Sequence, residues 1–221
     1  DAPGMLEAGF WRELAFVSAP ACDCCGLPFG LDVAEGSLCA ACIDTPPDFD
    51  RARAAVVYND ASRQLILDFK YGDKTHAVGT FLPWMRRAGV ALLPETDIVL
   101  PVPLHRRRLW QRRFNQSAEL SRALARDAGL SYAPELLTRV RATRPQVGLS
   151  GDQRRRNVAG AFRLGPGAEA LVRDRHIVLI DDVMTTGATA EACAKVLVHA
   201  GAAEVTVLCL ARVVPAGGAS I

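Results

Sequence analysis

One stretch limits the folds open to this chain more than any other: Val178-Leu179-Ile180-Asp181-Asp182-Val183-Met184-Thr185-Thr186-Gly187-Ala188-Thr189. His176 to Ile180 is an unbroken apolar run, and such runs suit the middle of a parallel sheet. Two acids stand at its C-terminal end, and a loop of small hydroxyl residues and glycine then opens a helix expected over about 188–200. Ligands of open α/β sheets bind in the crevice beyond the strand ends. The loop's N–H groups and the helix N-terminus favour a phosphate there, and three threonine hydroxyls add donors. Gly187 lets the backbone come close to it. Paired carboxylates just before such a cradle are placed to accept hydrogen bonds from sugar hydroxyls, directly or through Mg²⁺.

A plainer alternative is a strand–turn–helix in which Thr185 or Thr186 caps the helix and the aspartates are solvated. It does not account for four hydrophobics, two acids and a Thr-Thr-Gly-x-Thr loop in unbroken succession. A P-loop would need Gly-Lys-Thr, and a dinucleotide site its glycine fingerprint after the first strand. Neither occurs.

The surrounding pattern is that of βαβ units. Ile98-Val99-Leu100 reads as a short buried strand, Gln116 to Ala128 as a helix, and Glu204 to Leu210 as a third strand. Strands separated by helices predict a doubly wound sheet. Upstream, Arg53 to Tyr58 reads as a strand. A helix capped by Ser62 follows, ending near Tyr71-Gly72, and a second covers 75–92. Residues 138–158 are polar, rich in arginine and contain glycine, the profile of a long mobile loop.

Seven cysteines are present, five of them between Cys22 and Cys42. Cys22-x-x-Cys25 and Cys39-x-x-Cys42 form two knuckles separated by 13 residues, each able to present two thiolates to one tetrahedral Zn²⁺. A closed site of four cysteines leaves no open position, so the zinc would be structural. Metal-free cysteines packed as small hydrophobes are the alternative. Cys24 is spare, either an alternative ligand or a bystander, and Cys193 and Cys209 read as core residues. Residues 1–18 read as a helix leading into this module, and a boundary falls at Thr45-Pro46-Pro47-Asp48.

Net charge is +2, but between Arg106 and Arg163 there are 14 arginines against four acids, a local charge of +10. Such a segment in a nearly neutral chain suits a polyanion: phosphates, pyrophosphate or nucleic acid. Trp110 and Phe114 are interleaved with Arg106–Arg113. They read either as core or hinge residues or as stacking platforms for single-stranded DNA. Arg107, Arg108, Arg122, Arg126 and Arg155 read as a solvated face. No apolar run approaches the ~20 residues a membrane helix needs, and Phe10 to Val17 is too short and interrupted for a signal segment. A cytoplasmic protein with no membrane insertion is expected.

The phosphate turn looks like the phosphoribosyl pyrophosphate (PRPP) signature of type I phosphoribosyltransferases. Phe69-Lys70-Tyr71-Gly72-Asp73, Val102-Pro103-Leu104, Phe114-Asn115-Gln116, Arg154-Arg155-Arg156-Asn157-Val158-x-x-Ala161-Phe162 and the cysteine module narrow the likeness. In order and spacing they resemble the ComF family, which includes the GntX-like DNA-utilisation proteins. The likeness spans roughly residues 10–213. One departure is Arg112-Arg113-Phe114-Asn115-Gln116, where the family has Arg-Gly-Phe-Asn-Gln.

That resemblance implies a type I phosphoribosyltransferase-like parallel sheet flanked by helices, behind a small Cys₄ zinc-ribbon-like module. The module would occupy 1–46 and the larger domain 47–221, with a hood at 50–95 and a core at 96–213. Asp181 and Asp182 would hold the ribose 2′- and 3′-hydroxyls with Mg²⁺, and Thr185, Thr186, Gly187, Ala188 and Thr189 would wrap the 5′-phosphate. A pyrophosphate loop would lie at Pro101, Val102 and Pro103, running to Arg106. Residues 139–158 would close over PRPP, with Arg141, Arg144, Gln146 and Arg154 stabilising the departing pyrophosphate. Lys70 and Tyr71 would hood the site, and Cys22, Cys25, Cys39 and Cys42 would bind Zn²⁺. The implied activity is transfer of a phosphoribosyl group from PRPP to an unidentified acceptor, tied to DNA uptake in natural competence or to DNA utilisation. Competence proteins and single-stranded DNA would be partners. The alternative is a PRPP or nucleotide sensor, or a DNA-handling module, without turnover.

Overall fold

The computed structural model describes residues 8–71, 74–144, 146 and 148–215, with side chains given from residue 11 onward except at 71 and 74–76. In chain order the elements are α1 (Ala8–Glu13), α2 (Ala40–Asp44), β1 (Arg51–Val57), α3 (Asp60–Tyr71), α4 (Lys74–Ala88), a 3-10 turn at Leu93–Glu95 and β2 (Ile98–Pro101). There follow α5 (Arg106–Arg112), α6 (Gln116–Ala128), β3 (Ser131–Tyr132), β4 (Leu137–Arg139), α7 (Gly151–Val158), β5 (Phe162–Leu164) and α8 (Glu169–Val172). The chain closes on β6 (His176–Met184), α9 (Ala188–His199) and β7 (Glu204–Arg212).

Five strands form one parallel sheet in the order β1-β7-β6-β2-β3, and β4 and β5 make a separate antiparallel hairpin. The fold class is therefore the expected one. Side chains of a strand alternate between faces, so Ile177 and Leu179 pack on one side of the sheet and Val178 and Ile180 on the other. The first side carries α9, the hairpin and the cysteine module, in a core with Leu137, Phe162, Cys193 and Leu197. The second carries α3, α4 and α6 through Phe69, Phe81, Trp84, Leu120 and Leu124. Cys193 and Cys209 are fully buried, as the sequence suggests.

Several boundaries differ from the expected ones, each for a local reason. β6 does not stop at Ile180. It runs through both aspartates to Met184, because β7 matches it residue for residue as far as Met184 opposite Arg212. The N-terminal helix stops at Glu13. The chain beyond it is extended along the outer edge of β1, where Val17 N–H donates to Ala55 at 3.0 Å and Val57 N–H to Ala15 at 2.7 Å. Ser62 is not the cap of α3. Asn59 caps it by accepting from Ser62 N–H at 2.9 Å, and Ser62 Oγ in return accepts from Asn59 N–H at 2.9 Å. α4 ends at Ala88, before Gly89, and not at 92. The segment 138–158 is not one loop: β4 opens it and α7 closes it, the latter on a Ser150–Gln153 capping box.

The cysteine module is fixed against the sheet. Ala52 N–H of β1 donates to Cys24 C=O at 2.6 Å. Gly26 approaches the carbonyl of the same residue with φ +67°, and a Cβ there would lie 2.4 Å from the Ala52 oxygen, so only glycine fits.

Candidate functional site

Asp181 and Asp182 lie near the C-terminal end of β6, beside the first turn of α6. Asn115 caps α6, accepting from Ser117 N–H at 3.1 Å while its Nδ2 donates to Val102 C=O at 3.0 Å. This ties α6 to the loop after β2. Ser117 Oγ then donates to Asp181 Oδ1 at 3.2 Å, and the Asp182 N–H donates to the same oxygen at 2.9 Å. Burial, and next the adjacent Asp182 charge, push the Asp181 carboxyl up to about 7. Asp182 points the other way, with Oδ2 2.8 Å from Lys70 Nζ at the end of α3. Gln116 Nε2 donates to Lys70 C=O at 3.3 Å and helps place it. The structure thus brings Asp181, Asp182 and Lys70 together. The side chain of Tyr71 lies outside the described residues, as do Gly72 and Asp73.

The turn Thr185-Thr186-Gly187 follows directly. The residue before α9 is Gly187, with φ 82°, and no side chain caps the helix, contrary to a Thr185 or Thr186 cap. Met184 Cε would lie 3.1 Å from a Cβ at Gly187, so the glycine lets the turn close over the methionine. The uncapped N–H groups of α9 remain available to an anion. Gln146 Nε2 donates to Thr189 Oγ1 at 2.9 Å, which brings Gln146 against the turn.

The other arginines assigned to this loop point elsewhere. Arg141 donates to the carbonyls of Asn157 and Ala159 at 3.1 and 2.6 Å, and Arg154 Nε to Leu149 C=O at 2.9 Å. Arg144 is exposed, its N–H bound to Asn157 Oδ1 at 3.2 Å. In this arrangement they brace the loop and α7. Pro101 and Pro103 line a cleft of about 550 Å³ together with His105, Arg106 and Arg139. Val102 is buried beside it.

The Sγ atoms of Cys22, Cys25, Cys39 and Cys42 all lie within 4.8 Å of one another, and all four residues are buried. A tetrahedral zinc–thiolate site with bonds of about 2.3 Å requires sulfurs roughly 3.8 Å apart. Cys25 and Cys39 are 3.7 Å apart. Cys22 Sγ accepts N–H bonds from Cys25 at 3.4 Å and Cys39 at 3.3 Å. Burial opposes its thiolate, but these donors outweigh burial and hold the thiol at about 7. The donor set therefore fits a divalent metal, and Cys24 stands outside it.

Residues 116–218 match the phosphoribosyl transferase domain family. The DNA utilization protein YhgH of Salmonella typhi is 37% identical over 200 residues, covering 86% of this chain and 83% of its own. YhgH of a strain of Escherichia coli is 36% identical over 221 residues, covering 94% and 93%. Competence protein F of Haemophilus influenzae is 32% identical over 179 residues, covering 79% and 78%. The chain belongs to the ComF family. Among solved structures, an allosteric regulatory enzyme of purine biosynthesis aligns with 65% of this chain and 30% of its own, at 20% identity and a TM-score of 0.42.

In this ComF-family chain the family's glycine position is held by Arg113, which takes the left-handed conformation itself (φ 64°). Phe114 is buried and packs on Phe69 at 6.0 Å. Trp110 is 90% exposed, so it is not a core residue.

Sequence reasoning missed three participants. Ser117 holds Asp181. Arg139 is buried below the cleft, with its guanidinium 5.1 Å from the Phe162 ring centroid and its Nε without a partner. Arg212 reaches the cysteines from the end of β7. Nothing in the local pattern marks Ser117 or Arg212, whereas Arg139 stands within the basic segment but alternates with apolar neighbours like any strand residue. Among the described residues no helix is long and apolar enough to cross a membrane.

Proposed function

We propose that this protein binds PRPP with Mg²⁺ at the Asp181–Thr189 turn and transfers its phosphoribosyl group, in the cytoplasm, in support of DNA uptake or utilisation. The observation that carries the reading is the adjacency of two carboxylates, one neutralised by Lys70 and one held by Ser117, to an uncapped, glycine-opened helix start. The carboxylates suit the ribose 2′- and 3′-hydroxyls and the turn suits the 5′-phosphate. The C1′–O bond would break with its electron pair leaving on pyrophosphate, and a lone pair of the acceptor would form the new bond at C1′. Arg106 and Arg139, in the cleft lined by Pro101 and Pro103, suit the leaving charge. Asp181 and Asp182 would hold Mg²⁺, which would supply positive charge to the departing pyrophosphate. Zn²⁺ would hold the cysteine module at 1–46 against the domain at 47–221.

Titration calorimetry with PRPP and Mg²⁺, followed by a pyrophosphate-release assay over candidate acceptors, tests this. Asp182→Asn should weaken PRPP binding roughly 10- to 100-fold, since a charge-assisted hydrogen bond contributes about 1.5–3 kcal/mol. Unchanged affinity would remove the aspartates from the site. Binding with no release on any acceptor would favour a sensor.

A second reading has its own observation. Trp110 is 90% exposed on a helix that carries Arg106, Arg107, Arg108 and Arg112. An aromatic platform among cations suits single-stranded DNA.

A further inference from the structure

The cysteine cluster has a neighbour that neither its ligands nor the phosphate turn accounts for. Arg212, the last residue of β7, is 7% exposed and donates from Nη2 to Cys25 Sγ at 3.2 Å. Its Nε and Nη1 are buried with no hydrogen-bond partner, and no carboxylate among the described residues forms an ion pair with it. A guanidinium keeps its charge in any protein environment, and a buried charge left uncompensated is strongly destabilising. Four neutral thiols offer only weak dipoles. Four thiolates around a divalent cation keep two negative charges, the compensation this guanidinium lacks.

We infer that Arg212 is an outer-shell partner of the four-cysteine metal site, its buried guanidinium neutralising part of the charge of the loaded tetrathiolate. The inference rests on the reading that the cluster holds a divalent metal. It also explains why the cysteine module sits where it does. Arg212 is in register with Met184, and Val213 N–H donates to Met184 C=O at 2.9 Å, so the balancing charge belongs to the strand end beside the phosphate turn. A cleft of about 390 Å³ lies between the two and is lined by Cys25, Cys39, Thr185, Thr186 and Arg212.

The test compares wild type with Arg212→Met, similar in length but uncharged, and Arg212→Lys, which keeps the charge. Zinc content is measured by elemental analysis, zinc affinity by competition with a chromophoric chelator, and stability by urea denaturation of zinc-loaded and chelator-stripped forms. Wild type should hold about one zinc per chain. Arg212→Met should weaken zinc binding roughly 10- to 100-fold, as loss of an outer-shell partner does elsewhere, and Arg212→Lys should recover much of it. The stability order should also invert. Arg212→Met should be less stable than wild type when loaded and at least as stable when stripped, because stripping leaves the arginine uncompensated. A variant that binds zinc as tightly as wild type, or loses the same stability in both forms, shows a packing role and overturns the inference alone. Wild-type protein that binds no zinc overturns the metal reading and the inference with it.

Discussion

Lys70 Nζ and Asp182 Oδ2 stand 2.8 Å apart, with side chains only 15% and 16% exposed. The pair links the end of α3 to β6, so the second half of the acid pair is neutralised by a residue 112 positions away in sequence. Removing the lysine leaves a mostly buried carboxylate beside Asp181. Lys70→Met should therefore destabilise the protein by roughly 3 kcal/mol, read as a lower urea midpoint. Millimolar Mg²⁺ should restore part of that loss, because the vacated carboxylates gain a cation. A midpoint equal to wild type, with or without Mg²⁺, would mean the pair contributes nothing.

Asp181 gives a pH dependence with a definite sign. Its folded value of about 7 lies above the ordinary aspartate value of 3.8, so the folded state binds the extra proton between them. The stabilisation is therefore fully present below about 4 and is lost as pH rises through 7. The loss is about 4 kcal/mol at most, at 1.36 kcal/mol per unit. Urea denaturation of ligand-free protein from pH 4 to 8 should show this decline, and Asp181→Asn should flatten it. Mg²⁺–PRPP affinity should run the opposite way, strengthening as the carboxylate ionises.

Arg113 holds a left-handed conformation (φ 64°) at the end of α5, where its Cβ crowds the backbone. An L-residue there costs roughly 1–2 kcal/mol, offset partly by the greater freedom glycine has when unfolded. Arg113→Gly should stabilise the protein by up to about 1 kcal/mol, a rise of roughly 2–4 °C in Tm for a chain of this size. A lower Tm would show that the arginine side chain has contacts worth more than the strain.

The basic helix α5 separates two roles for its charge. If it holds single-stranded DNA, Arg107→Glu with Arg108→Glu should weaken binding and flatten its salt dependence by about 0.7 for each phosphate that is no longer neutralised. Trp110→Ala should lower affinity with little change in slope, since stacking releases no ions. PRPP affinity should survive Trp110→Ala, because that side chain is 90% exposed. Oligonucleotide affinity indifferent to salt and to these substitutions would leave the arginines as a solvated face.

What could be read from the sequence follows from how local each signal is. The turn at Thr185–Thr189, the two cysteine knuckles and the strand–helix alternation are short-range patterns, and each stands in the structure where the residues place it. The extension of β6 through Asp181 and Asp182 was not legible, because acids interrupt an apolar run while β7 continues to pair with it. Ser117 and Arg212 act across 64 and 187 positions, on Asp181 and Cys25. A serine after a cap and an arginine at the end of a strand carry no mark of such partners. The segment 138–158 misleads for another reason. Its composition is that of a loop, but the Ser150–Gln153 box and the pairing of β4 with β5 order both ends. Only the stretch that carries Gln146 to Thr189 lies between them.

The hydrogen bonds from Val57 to Ala15, Val17 to Ala55 and Ala52 to Cys24 have a consequence for solubility. β1 is an outermost strand, and an open strand edge is a template for pairing with another molecule. Here the chain's own first segment and first knuckle fill that edge, and a metal-bound knuckle would depend on its ion for its shape. Removing that ion would then uncover a backbone ladder as well as loosen a small module. Apo-protein should then join to its own copies through this flank before the sheet itself unravels.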